Sequence, residues 1–165
     1  LPSLEEAQLI ELGGLLVDCE AGGTPVSFMR PLARDQAVAF WCRVARGVRE
    51  GHRAVLTTKD YLGNCGTDQL ILNQPENQPH RAELAKLLAH RRVRCQGLSA
   101  ALMLAAEDMA SEHNKTLFFV ETVTNSDADR LYERLRWVRA SDNPGSALYP
   151  DGGLSSTIYY YRTLT

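Results

Sequence analysis

The sequence predicts an α/β domain built on a mixed sheet, and three observations carry that prediction. The hydrophobic period changes from helical to alternating after Gly51, a hairpin signature runs from Arg53 to Leu72, and strand-like and helix-like segments alternate from there to the end. The chain has 165 residues, 44% of them hydrophobic, which suits one domain (1–165) with a sizeable core. Charged residues nearly cancel to a net charge of -2. That balance excludes a globally basic binder of nucleic acid or anionic membrane, so any basic site is local.

Taken in order, Ser3-Leu4-Glu5-Glu6 reads as a capping box, and Leu9, Leu12 and Leu16 follow at helical spacing in a helix ending near Cys19. Gly22-Gly23-Thr24-Pro25 breaks it, and Arg34 to Glu50 forms a second amphipathic helix through Ala37, Phe40, Trp41, Val44 and Val48, stopped by Gly51. Ala54 to Thr58 and Thr67 to Leu72 pair as strands around the turn Lys59 to Asn64. After a polar loop, Arg81 to Ala89 is a third strand. A helix begins near Leu98, with Leu98, Ala101, Leu102, Ala105 and Met109 as its apolar stripe. Residues 115–122 form a buried strand, a helix follows from about Asn125, and residues 156–164 form a terminal strand. No glycine-rich dinucleotide fingerprint follows an early strand.

Cys19, Cys42, Cys65 and Cys95 are scattered without a C-x-x-C pair, and neither a leader nor an apolar run of membrane length is present. Free thiols in the cytoplasm are the expectation. His80 and His90 have no partner at ligand spacing, so no metal is expected.

Residues 91–102, "RRVRCQGLSAAL", place three arginines and a glycine-bearing turn at the mouth of a helix. A helix N-terminus carries unpaired N–H groups and partial positive charge, both of which favour phosphate. A solvated turn kept soluble by Arg91, Arg92 and Arg94 explains these residues equally well. A nucleic-acid site is disfavoured, because the patch is short and no aromatic platform flanks it.

Residues 89–98 resemble the acetyl-CoA signature of the GCN5-related N-acetyltransferases, Q/R-x-x-G-x-G/A, with Arg92 and Gly97 at its outer positions and Cys95 where the first glycine is expected. Residues 125–137, "NSDADRLYERLRW", are similar to that family's N-x-x-A-x-x-L-Y-x-x-x-G-F/W segment, with Arg136 at its glycine. Gly22 to Met29 and Tyr149 to Gly152 resemble loops of the tabtoxin-resistance type. The resemblance implies the GNAT fold: a mixed, mostly antiparallel central sheet flanked by about four helices. The family opens with a strand before its first helix. This chain starts at that helix with Leu1, so that strand either precedes Leu1 or is missing.

The resemblance also implies acetyl-CoA as co-substrate and a small-molecule amine as acceptor, with a toxin, an antibiotic or an amino-acid-like molecule among the candidates. The backbone of Leu87, Leu88 and Ala89 would pair with pantetheine. Arg92, Val93, Arg94, Cys95, Gln96, Gly97, Leu98 and Ser99 would hold the pyrophosphate, and Asn125 would cap its helix and bond the pantetheine arm. Tyr132 corresponds to the family's proton donor to the CoA sulfur, against the alternative of a core tyrosine. Its ordinary pKa of about 10 is well matched to a thiol near 8.5. Glu121 corresponds to an aspartate base and is expected to be buried, with its pKa raised; the alternative is a strand-end carboxylate. Family members are often dimers, so a homodimer is among the expectations. A Cβ at Cys95 crowding the pyrophosphate, and a left-handed Arg136, keep a second reading open: a catalytically impaired CoA-binding or regulatory module.

Overall fold

The structure, a computed structural model, describes residues 4–165. Its elements are α1 (Glu6–Ala21), α2 (Arg34–Arg49), β1 (Arg53–Asp60), β2 (Gly63–Ile71), β3 (Arg81–Ala89), a single 3-10 turn (Arg91–Val93), α3 (Leu98–Glu112), β4 (Leu117–Val123), α4 (Asp127–Arg134), β5 (Val138–Leu148) and β6 (Leu154–Thr163). Ser3, the expected first cap, lies outside the described residues. Glu5 is the N-cap, its N–H donating to Gln8 Oε1 at 3.0 Å.

The six strands form one sheet in the order β1-β2-β3-β4-β6-β5, with β3 and β4 parallel and every other pair antiparallel. Helix α3 crosses between the two parallel strands, as a parallel connection requires. The sheet separates two cores. On one face α1 and α2 bury Leu12, Leu15, Leu16, Trp41 and Val44; on the other, α3 and α4 bury Met103, Ala106, Leu131 and Tyr132 against Leu70, Leu84, Phe118 and Ile158.

A β-bulge in β3 assigns its side chains to these cores. Thr67 pairs with Leu88 and Gln69 with Ala85, so β3 carries one extra residue, and Lys86 there has φ of 57°. The bulge reverses the alternation. Ala82 and Leu84 pack with α3, whereas Leu88, which an unbroken strand would place on the same face, packs in the α1–α2 core.

Each of the four helices among the described residues ends in a Schellman motif, recognisable by its paired hydrogen bonds to carbonyls three and five residues back. The left-handed positions are Gly23, Gly51, Asn114 and Arg136. At α4, Arg136 N–H donates to Glu133 O and Trp137 N–H to Tyr132 O, both at 3.0 Å. The expected left-handed Arg136 is present, at φ 60°.

Three expectations need correction. The sequence reading gave five strands and missed β5, whose residues are nearly all exposed and show no alternation; Pro144-Gly145 sits where the register slips between Asn143 and Ala147. The buried stripe of α3 is Leu102, Met103, Ala106 and Ala110, while Ala101 and Ala105 are exposed. Most α3 positions are apolar, so periodicity alone does not choose the face. Finally, α4 is capped by Ser126, whose Oγ accepts from Asp129 N–H at 3.1 Å, and Asn125 precedes the cap.

Candidate active site

Strands β3 and β4 pair only at Arg81–Leu117, Ala82–Phe118 and Glu83–Phe119. Beyond Glu83 they part, leaving one edge of β3 without a strand neighbour and opening a cleft of about 650 Å3. Its lining includes Leu87, Leu88, Arg94, Glu121, Asn125 and Tyr132 from the expected set, together with Glu83 and Lys86.

The basic turn divides by partner. Arg91 Nε donates to Asp18 Oδ1 at 2.5 Å, and Arg92 closes on Asp60 through Nε at 2.8 Å and Nη2 at 3.1 Å. Arg94 reaches the cleft, with Nη2 on Thr24 Oγ1 at 3.1 Å. His90 Nδ1 accepts from Arg92 N–H at 3.2 Å. Val93 is half-buried in the 3-10 turn. Cys95, Gln96 and Gly97 are exposed, with Cys95 and Gly97 both left-handed at φ 62° and 77°. Gly97 begins α3 with no side-chain cap, so the first-turn amides of Leu98 and Ser99 keep their anion-binding capacity. Ala89 does not line the cleft; its carbonyl lies 3.6 Å from Cys19 Sγ, as acceptor of the thiol.

Loops 22–27 and 146–149 line the same cleft, and the segments they belong to are tied by Arg30 N–H to Pro150 O at 2.9 Å. Asn125 is left-handed (φ 61°), and its N–H donates to Asp129 Oδ2 at 2.7 Å. The other oxygen of Asp129 accepts from Tyr160 Oη at 2.5 Å, which braces the start of α4 against β6.

The carboxylates correct the sequence reading. Glu121 is exposed rather than buried, and its Oε1 accepts from Thr157 Oγ1 at 2.6 Å. Glu83 is the perturbed acid: burial raises its pKa, the Glu121 charge raises it further, and Arg53, Arg81 and Lys86 pull it down. Sequence reasoning missed it because "RAELAKLLA" reads as an ordinary alternating strand in which Glu83 falls on the polar phase, out of step with Ala82 and Leu84, so nothing local to it signals the site. Lys86, at the bulge, donates to Ser27 Oγ at 2.9 Å; burial, then the charge of Arg53, lowers it to about 8. Tyr132 is almost wholly buried, and burial with the Asp68 carboxyl holds its phenol well above the ordinary value. The expected match between phenol and thiol therefore does not hold.

A site with an open β3 edge for a strand-like chain, an anion-binding turn at α3 beyond one end of that edge and a raised carboxyl at the other suits a group transfer from a phosphate-bearing carrier. Solved structures share this fold. A ribosomal-protein-alanine N-acetyltransferase from Brucella melitensis superposes with a TM-score of 0.82 at 16% identity, covering 99% of this chain and 98% of its own. The Salmonella typhimurium protein yncA, solved with acetyl-CoA, gives 0.80 at 14% identity, with 99% and 92% covered. A spermidine N-acetyltransferase from Vibrio cholerae, solved with CoA and spermine, gives 0.77 at 16%, with 99% and 94% covered. These likenesses establish the fold. The sequence model described as Acetyltransferase (GNAT) family matches residues 5–136, so the chain belongs to that family of acyltransferases, and acetyl-CoA is its co-substrate.

Proposed function

We propose that this chain is a single-domain, cytoplasmic N-acetyltransferase that moves the acetyl group of acetyl-CoA directly onto the amine of a small molecule. The observation that carries the reading is the parting of β3 and β4, which gathers the open edge of Leu87 and Leu88, Glu83, Tyr132 and Asn125 around one cleft. Main-chain groups of β3 would pair with pantetheine as an added strand does, and the turn from Arg94 to Ser99 would hold the pyrophosphate.

Glu83 is the better base than Glu121. A carboxyl raised by burial takes a proton from the acceptor's ammonium near neutral pH, directly or through water, whereas Glu121 contributes the charge that raises it. The freed amine then attacks the thioester carbonyl. Its nitrogen gives up a second proton, which ends on the departing CoA thiolate directly or through water, and Tyr132 supplies a hydrogen bond to that sulfur; its raised pKa favours donation without full transfer.

Three acidic residues line the cleft, Glu83, Glu121 and Asp127, and they favour a cationic amine. Lys86, hydrogen-bonded to Ser27 at the bulge, favours a second, anionic group on the same acceptor. An amino-acid-like acceptor meets both conditions, and a tabtoxin-type molecule is one such. The four free cysteines support the cytoplasmic reading.

Thermal unfolding with acetyl-CoA, with ATP and NAD as controls, tests the first half. Saturation to a hundred times Kd raises Tm by about 5 to 11 °C for a domain of this size. Steady-state thiol release with amino-acid-like amines, polyamines and peptides tests the second. No shift with acetyl-CoA would leave the impaired-module reading; turnover only with peptides would overturn the small acceptor.

A further inference from the structure

A second concavity, of about 440 Å3, shares no lining residue with the cleft and lies where the end of α2 meets β1 and β2. Arg43, Arg46, Arg53, His52 and Asn73 line it, and Glu50 is the one acid among the lining residues. Arg43 and Arg46 are exposed and three residues apart, hence on one face of α2. Neither is within ion-pair distance of an acid among the described residues. Glu50 lies 3.3 Å from His52 Nδ1.

The third arginine is built in. Gly47, in the last turn of α2, sits where a Cβ would come within 3.0 Å of Arg53 Cδ, so the glycine lets the Arg53 stem lie along the helix. A helical glycine is destabilising relative to alanine, and here the Arg53 stem occupies the space a side chain would take. Arg53 Nη1 donates to Oε1 of the fully buried Gln69 at 3.1 Å, which fixes one corner of its fork. Three arginines against one glutamate thus converge on a hollow, in a chain of net charge -2.

We infer that this concavity binds a small, multiply charged oxyanion of the phosphate type, held by Arg43, Arg46 and Arg53. Guanidinium forks match the oxygens of such an anion, and the arrangement is distinct from the turn at α3. Arg53 also links the two sites. The charges acting on Glu83 come from β4 (Glu121), from β3 itself (Arg81 and Lys86) and from β1 (Arg53). An anion that neutralises Arg53 removes one of the pulls that offset the rise in the Glu83 pKa, so the base holds its proton to higher pH and turnover on the acid side falls. By linkage, the anion binds more tightly when Glu83 is protonated. This coupling rests on Glu83 acting as base; the binding does not.

Calorimetry with inorganic phosphate and pyrophosphate, in the presence of saturating acetyl-CoA to fill the cofactor turn and against chloride of equal ionic strength, is the test. Saturable binding that is lost in Arg43→Ser/Arg46→Ser and kept in Arg94→Ala is the expected result. No saturable heat, or heat unchanged in the double variant, overturns the site. With binding present, the acid limb of kcat in wild type should move to higher pH on adding pyrophosphate and stay fixed in the double variant; a limb that does not move overturns the coupling while leaving the site.

Discussion

The Arg92 guanidinium is closed on Asp60 by two hydrogen bonds, 2.8 and 3.1 Å long, so the arginine of the CoA signature is spent within the protein. The pair ties the start of the basic turn to the end of β1. It leaves Arg94 as the signature arginine that reaches the cleft.

Replacing Asp60 by Asn should release Arg92 toward the cofactor's phosphates. Acetyl-CoA affinity is expected to rise by about threefold to tenfold, with a steeper salt dependence, because a freed arginine adds a screened charge-assisted bond. Titration at two ionic strengths measures both effects.

Cys95 holds a left-handed backbone that glycine adopts without strain. Cys95→Gly should stabilise the chain by about 1 kcal/mol and tighten acetyl-CoA by removing a Cβ beside the pyrophosphate. Unchanged Kd alongside a raised Tm would retain the backbone argument and remove the crowding one.

The pH profile should identify the base. Glu83 is raised, so on the acid side it is protonated and unable to accept; activity falls by about tenfold per pH unit below its pKa. Glu121→Gln removes a like charge, which lowers the Glu83 pKa and moves that limb to lower pH. Glu83→Gln should cost about a hundredfold or more in kcat/KM and abolish the limb.

Tyr132→Phe should lower kcat by about tenfold to a hundredfold while leaving acetyl-CoA Kd unchanged. The ring packs against Trp137 and Tyr160 at centroid distances of 5.7 and 5.6 Å, and phenylalanine keeps those contacts, so circular dichroism and Tm should stay near wild type. Unchanged kcat would return Tyr132 to a purely structural residue.

Arg136 occupies the left-handed end of α4, where Gly23 and Gly51 serve α1 and α2. Arg136→Gly should stabilise by about 1 kcal/mol, seen as a Tm rise of about 2 to 4 °C.

What was legible in the sequence follows from where the signal lay. Local chemistry placed β1, β2 and β3, the start of α3 at Leu98 and the end of α2 at Gly51, since alternation, caps and breakers are short-range. β5 was invisible because it is an exposed edge strand carrying Pro144, a residue that edges tolerate and interiors do not. Of the residues singled out from the sequence, Leu87, Leu88, Arg94, Glu121, Asn125 and Tyr132 line the cleft, but Glu83 was not among them, because its raised pKa comes from burial in the folded chain and then from the Glu121 charge on another strand. Likewise nothing local to Arg92 announces Asp60, which lies 32 residues earlier in the chain.

The extra residue at Lys86 makes β3 tolerant of a change in its own length. Deleting Lys86 would close the bulge and restore plain alternation, with Leu87 still facing α3 and Leu88 still facing α1 and α2, so both cores keep their side chains. What the deletion removes is the amine that reaches Ser27. A relative can therefore lack one residue between Glu83 and the basic turn and still share this sheet, having lost only the bulge and the cation it carries.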